Sequence, residues 1–285
     1  MSILNKLKLR YKQGNIVEKL ININIAVFVI TILINVLQGL YANSTNFIVN
    51  WFALDNSINA LFTKPWTLLS YGFLHADFLH ILMNLIVIYY IGNLFLEYFT
   101  QKQLLTFYLL GTFFGGVLYL FSQNYLPLFE GDNSVLVGAS AGISAIFIGI
   151  ATYIPNYQIK LRFIGFVKLW HLAAFWIGLD IISLIGNNAG GHFAHLGGAL
   201  FGFLYVNQAS NKEIKLFDYL SSLFKKKEKP LRTVHKNKNK TRKTTSQNTD
   251  LTQKQVDAIL DKISKSGYDT LTKAEKEFLF KQGKK

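Results

Sequence analysis

The chain contains no cysteine, which excludes disulfides, thiolate catalysis and cysteine-held metal sites. Only 4 of its 285 residues are proline, too few for a polyproline or loop-dominated architecture. Charge is scarce as well: Asp, Glu, Lys and Arg make up 16% of residues, against 51% hydrophobic and 15% aromatic. A soluble domain carries about 25% charged residues, so the deficit points to a membrane protein. Acidic residues are the scarcer sign, 16 against 30 Lys and Arg, for a net charge of +14. That surplus sits at the ends. Residues 1–20 hold five basic residues and one acid, and residues 211–285 hold twenty against nine. Attraction to anionic inner-leaflet lipids accounts for such ends better than nucleic acid does.

Six stretches are apolar enough to cross a ~30 Å hydrocarbon layer as helices. They lie near 21–41, 79–98, 103–122, 136–154, 166–186 and 191–208. The expected fold is therefore an all-α polytopic bundle of six membrane helices over residues 21–208, behind a basic N-terminus at 1–20. An even number of spans puts both termini on one side. The connections on the far side hold a single Lys, Lys64, whereas Lys102, Lys160 and Arg162 fall on the side of the basic ends. The positive-inside rule then makes both termini cytoplasmic. The first span has no small-residue cleavage site, and the first twenty residues hold one serine and Glu18, unlike a transit peptide. A bacterial plasma membrane is the expected home. Residues 42–65 are too apolar for a solvated loop and read as an interfacial segment, with Trp51 and Trp66 at headgroup level. Residues 209–250 form a basic linker whose Lys/Asn/Thr-rich part reads as disordered. In 251–285, apolar residues recur at helical spacing up to Gly267, and Thr272–Glu275 is a capping box. A small helical hairpin is expected there.

Polar residues inside the apolar stretches are few, and they cluster in depth. Ser140 lies about four residues into the fourth span, and His195 about four into the sixth. Both spans run inward from the outer face, as does the second, which carries His80 and Asn84 near its start. Four polar groups from three helices thus reach one level, as a water-accessible cavity in a membrane requires. Gly198, Ala199 and Gly202 follow His195 at i+3, i+4 and i+7, and Gly142, Ala145 and Gly149 line the fourth span. Such stripes let two helices approach closely. The approach would make Ser140 a nucleophile and His195 its base, with His80, Asn84 and the Ser140 amide as donors to an oxyanion.

These residues resemble a known family, the rhomboid intramembrane serine proteases, over roughly residues 20–208. The resemblance rests on Gly138-Ala139-Ser140, on Ala194-His195-Leu196-Gly197-Gly198, and on His80-Ile81-Leu82-Met83-Asn84, with Trp66 and Glu97 in family positions. Ala141 stands where the family usually has glycine, and Thr67 where it often has arginine. The resemblance implies a serine–histidine dyad without a catalytic acid. It also implies cleavage of transmembrane protein substrates near the outer face, with no cofactor. Gly138, Gly142 and Gly198 would support the site.

Other assignments compete. Ser144 also follows a Gly-x pattern but lies one turn deeper, about 6 Å, with no histidine at its level. His192 reads as an interfacial hydrogen-bonding residue rather than the base, and His75 as a tie for the loop before the second span. Asp180 falls near the depth of the dyad. It could orient a histidine as a triad acid does, but because the resemblance implies a dyad, a structural hydrogen bond or a protonated acid is the preferred reading. Two other classes are an inactive relative that binds membrane segments and a metal-dependent protein using His75, His80, His192 and His195. The absence of any His-Glu-x-x-His pattern weakens the latter.

Overall fold

The structure is a computed structural model that describes residues 5, 13–40, 46–162, 164–186, 188–209 and 247–282. It divides into two units, residues 1–225 and 226–285. Most of the linker expected at 209–250, including the part read from composition as disordered, lies outside the described residues.

The first unit is helical with two small β pairs. Helix α1 (Ile16–Leu40) is followed by α2 (Phe47–Phe52), strand β1 (Leu54–Asp55), α3 (Ile58–Thr63) and α4 (Thr67–Ser70). Two long helices come next, α5 (Phe78–Tyr98) and α6 (Gln101–Tyr125). Strand β2 (Val135–Leu136) precedes α7 (Ser140–Tyr153), and strands β3 (Gln158–Leu161) and β4 (Gly165–Lys168) lead into α8 (Leu169–Ile182) and α9 (Ala189–Ala209). Among the described residues, α1, α5 and α6 are long and apolar enough to cross a membrane, and the apolar helices at 140–153 and 169–185 are shorter. From residue 23 onward the outward-facing side chains on α1 are apolar: Leu33, Val36, Leu37 and Leu40 are each more than half exposed. Water would not tolerate such a stripe on one monomer, whereas lipid does.

Local chemistry sets the helix starts. The Asp77 carboxylate accepts the His80 N–H at 2.8 Å and caps α5, and Thr100 with Gln103 forms a full capping box on α6. Each such cap contributes about 1 kcal/mol. Two expected boundaries shift. The fourth span was expected from residue 136, but Val135–Leu136 pairs antiparallel with Leu54–Asp55, and Gly138 takes φ +136°. A helix cannot run through that backbone, so α7 begins at Ser140 itself. The fifth was expected from residue 166, but residues 165–168 pair with 158–161, and the helix begins at Leu169.

α9 packs mainly against α7 and α6. A Cβ at Gly198 would collide with the backbone of Ala141, and one at Gly202 with that of Ala145, so the two helix backbones nearly touch. The facing stripe is therefore Ala141 and Ala145, not Gly142 and Gly149. Gly142 lies against Tyr108 and Gly149 against Phe107, both on α6. Ala141 and Ala145 are i, i+4 neighbours on one face, and residue 142 is rotated about 100° from it. The core of this unit is built from Phe95, Leu104, Phe107, Ile143, Ile146 and Ile150.

In the second unit, α10 (Gln247–Ser266) ends at Gly267 and α11 (Lys273–Gln282) begins after Leu271 and Thr272. The Glu275 carboxylate accepts from the Thr272 backbone N–H at 2.8 Å and from the Lys262 ammonium at 2.9 Å. Those bonds hold the Glu275 carboxyl down at about 2, the Lys262 bond being the larger cause.

Candidate active site

Ser140 is the first residue of α7, where backbone N–H groups have no partner within the helix and the helix dipole presents its positive end. The approach to it is held from below: Gly138 N–H donates to the Tyr71 carbonyl at 3.0 Å, and the Tyr71 hydroxyl donates to the Thr112 carbonyl at 2.7 Å. His195 lies on α9, just before Gly198 brings that helix against Ala141. Its Nε2 is 2.6 Å from Ser140 Oγ.

On the opposite face of His195, Nδ1 is 2.8 Å from Asp180 Oδ1. His192 Nδ1 reaches the same oxygen, also at 2.8 Å. Asp180 is buried, and its Oδ2 has no hydrogen-bond partner among the described residues. The Trp176 ring lies 6.5 Å from the His195 ring, and its indole N–H donates to Ser144 Oγ at 3.1 Å. Ser144 is thereby tied to an indole and has no imidazole partner among the described residues. Nothing in the spacing of Ser144 pointed to Trp176, although Trp176 and Asp180 are i, i+4 neighbours on one face of α8.

His80 and Asn84 lie on one face of α5, which packs against α7. A Cβ at Gly138 would fall 2.9 Å from His80 Nε2 and 3.5 Å from Ser140 Oγ, so the missing side chain leaves room between those two groups. Asn84 is buried, with its Nδ2 unpartnered among the described residues. A buried amide without a partner is costly, and its donors stay free for something that enters. The expected tie by His75 to its loop is weak, a backbone interaction with Phe73. Both its ring nitrogens are buried with no well-formed hydrogen bond among the described residues, and its ring meets His80 edge-on at 5.1 Å. Burial, and then the neighbouring His80, pulls the His75 imidazole down to about 4.

Of the metal-capable side chains among the described residues, Asp180, His192 and His195 form a group with ligand atoms within 4.8 Å of one another. His75 and His80 are not in that group, so the four-histidine metal set expected as an alternative is not assembled.

A hydroxyl and an imidazole thus stand in contact within an apolar helical bundle, three of whose helices are long and apolar enough to cross a membrane. The rhomboid domain model matches residues 63–211, and the chain belongs to the rhomboid family. Residues 242–285 match a second model, a family of unknown function (DUF6576). RHOMBOID-like protein 12, mitochondrial, of Arabidopsis thaliana is 33% identical over 144 residues, covering 47% of this chain and 43% of that protein. Presenilin-associated rhomboid-like protein A, mitochondrial, of Danio rerio is 29% identical over 164 residues, covering 56% and 41%. Presenilin-associated rhomboid-like protein, mitochondrial, of Bos taurus is 25% identical over 161 residues, covering 53% and 40%. The chain thus spans about two fifths of the length of these relatives.

Their names overturn the expectation of a bacterial plasma membrane with cytoplasmic termini: all three are mitochondrial proteins of eukaryotes. The physical reason is that charge bias reports which loops share a side, and carries no information about which membrane they flank.

Proposed function

We propose that this chain is an intramembrane serine endopeptidase that cleaves transmembrane segments of other proteins. The observation that carries this reading is the 2.6 Å contact between Ser140 Oγ and His195 Nε2. His195 Nε2 takes the Oγ proton as Oγ bonds to the scissile carbonyl carbon, and the carbonyl π pair moves onto oxygen. His80, Asn84 and the Ser140 amide hold that oxyanion. As the C–N bond breaks, the imidazolium returns its proton to the leaving nitrogen. Water, deprotonated by the same imidazole, then releases the acyl group. The unpartnered Asn84 amide and the room at Gly138 support this assignment of the oxyanion side.

The reading takes α1, α5, α6, α7, α8 and α9 as six membrane helices, residues 211–285 lying beyond them. α7 has 14 residues and is about 21 Å long, some 9 Å short of a ~30 Å hydrocarbon layer. With its far end at the face of the basic termini, Ser140 lies sunk below the opposite face, where an extended strand leads in from the surface. Substrates would be helices unwound locally by glycine, proline or small polar residues, because an intact helix withholds its carbonyls. The basic ends would rest on anionic lipid.

Purified protein in liposomes with a fluorogenic transmembrane substrate tests this. Wild type should cleave and react with a fluorophosphonate, and Ser140→Ala should do neither. Cleavage by Ser140→Ala refutes the reading. Loss of activity with chelator alone would favour a metal at Asp180, His192 and His195. Absence of both cleavage and labelling in wild type would favour a membrane-segment binder.

A further inference from the structure

The mechanism above leaves one buried acid unused. Asp180 sits near the end of α8, and its side chain makes no bond to backbone or helix end among the described residues. Its hydrogen bonds go to two imidazoles, His192 Nδ1 and His195 Nδ1, each 2.8 Å from Oδ1, while Oδ2 has no partner. Such an acid does not serve as a cap or a loop clamp. We infer that Asp180 is a positioning residue for His195, so that the site works as a Ser140–His195–Asp180 relay rather than a bare serine–histidine pair. This inference rests on the serine-endopeptidase reading.

A carboxylate oxygen has two lone pairs and no proton to give, so both histidines donate Nδ1–H to it. For His195 that choice of tautomer leaves a lone pair on Nε2, on the side where Ser140 Oγ stands 2.6 Å away. The opposite tautomer would set a nitrogen lone pair against the carboxylate and a proton between Nε2 and Oγ, and the base would be blocked. His192 and His195 are i, i+3 on α9 and share a face. With a donor in each lone pair, Oδ1 is held from two points.

In the reaction the Oγ proton passes to Nε2 and goes on to the leaving nitrogen. The Nδ1 proton stays on His195, and Asp180 stays a carboxylate throughout. The positive charge that appears on the ring lies against a carboxylate buried at 4% exposure. In such a site the attraction is several times stronger than in water, and it is felt only after proton transfer. It therefore acts on turnover, not on substrate binding.

The experiment uses the full chain in liposomes with chelator present throughout, and compares wild type, Asp180→Asn, Asp180→Glu and Ser140→Ala. Asparagine keeps the shape and the packing, but its amide can donate to Nδ1 and stabilise the wrong tautomer. Expected for Asp180→Asn is a loss of about 10³-fold or more in kcat with KM within about twofold of wild type. Asp180→Glu should recover at least about tenfold over asparagine, because it restores an acceptor-only group. Nitrogen-15 NMR of imidazole-labelled protein supplies a second reading that does not depend on the variants folding. In wild type and in Ser140→Ala, His195 should carry its proton on Nδ1, as a strongly deshielded signal. Asp180→Asn with near-wild-type kcat, or a resting wild-type His195 protonated at Nε2, overturns the inference while leaving the endopeptidase reading standing. Cleavage by Ser140→Ala overturns the endopeptidase reading itself.

Discussion

Gly198→Ala adds one methyl group at the point where α9 crosses α7. That carbon would lie 2.8 Å from the Ala141 carbonyl carbon and closer still to its oxygen. An ordinary contact needs about 3.5 Å, so the helices must separate by about 1 Å. Overpacking of this kind costs about 1–3 kcal/mol. The same displacement falls on the site, because Ala141 follows Ser140 and His195 is one turn from Gly198. A misplacement of about 1 Å in a reacting pair lowers turnover by about 10²-fold. Gly202→Ala is the matched comparison: its methyl would lie 2.9 Å from the Ala145 carbonyl carbon, one turn further from the dyad. Leu200, between them, is 56% exposed, and truncating it to alanine should change neither property. Fluorogenic cleavage and thermal unfolding in the same detergent measure both effects. Both glycine variants should lose similar stability, with the larger fall in kcat at residue 198. Wild-type kcat and unfolding midpoint in Gly198→Ala would show that the helices are not in contact there.

Asn84→Ala should lower kcat by about 10²–10³-fold with little change in KM, since an oxyanion donor acts in the transition state; steady-state kinetics on the fluorogenic substrate measure it. Gly138→Ala should reduce fluorophosphonate labelling sharply, because a side chain at φ +136° is strained and its Cβ would meet His80 Nε2 at 2.9 Å. His75 titrates at about 4 in the folded chain against 6.5 when free, burial being the main cause. Between those values the unfolded chain binds more protons, so stability is full above about pH 6.5 and falls as pH drops toward 4. His75→Phe should flatten that part of a plot of unfolding midpoint against pH, and an unchanged slope would mean that His75 does not set it.

The proximity of Ser140 and His195 was legible because glycines flanking a polar residue in an apolar run have few other physical explanations, and because topology put both at one level. Their chemical roles stay a proposal. What periodicity could not show was the backbone between the runs. Val135 and Leu136 are as apolar as the helix that follows, so the stretch reads as one span until Gly138 is seen at positive φ. The glycine stripe on α9 was legible, but its partner only in part: of Gly142, Ala145 and Gly149, Ala145 faces α9, with Ala141 beside it, and hydropathy does not say which small face turns to which neighbour. His75 misled for a related reason. A loop histidine normally finds a strong partner, and only the packing reveals that this one is buried against His80 with no well-formed hydrogen bond among the described residues.

The two-residue pairing of Leu54–Asp55 with Val135–Leu136 has a mechanical consequence. On one side it joins the segment where Trp51 stacks on Trp66 at 6.2 Å and Lys64 lies over the Trp51 ring. On the other side it leads within four residues to Ser140. Ser140 is therefore held from two directions: its own helix packs against α9 in the core, and the backbone leading into it is tied by this short pairing to the Trp51–Trp66 stack. Breaking that pairing by a proline at Leu54 would free the entry to Ser140 while leaving the α7–α9 contact at Gly198 intact, so the strand and the helix crossing can be loosened separately.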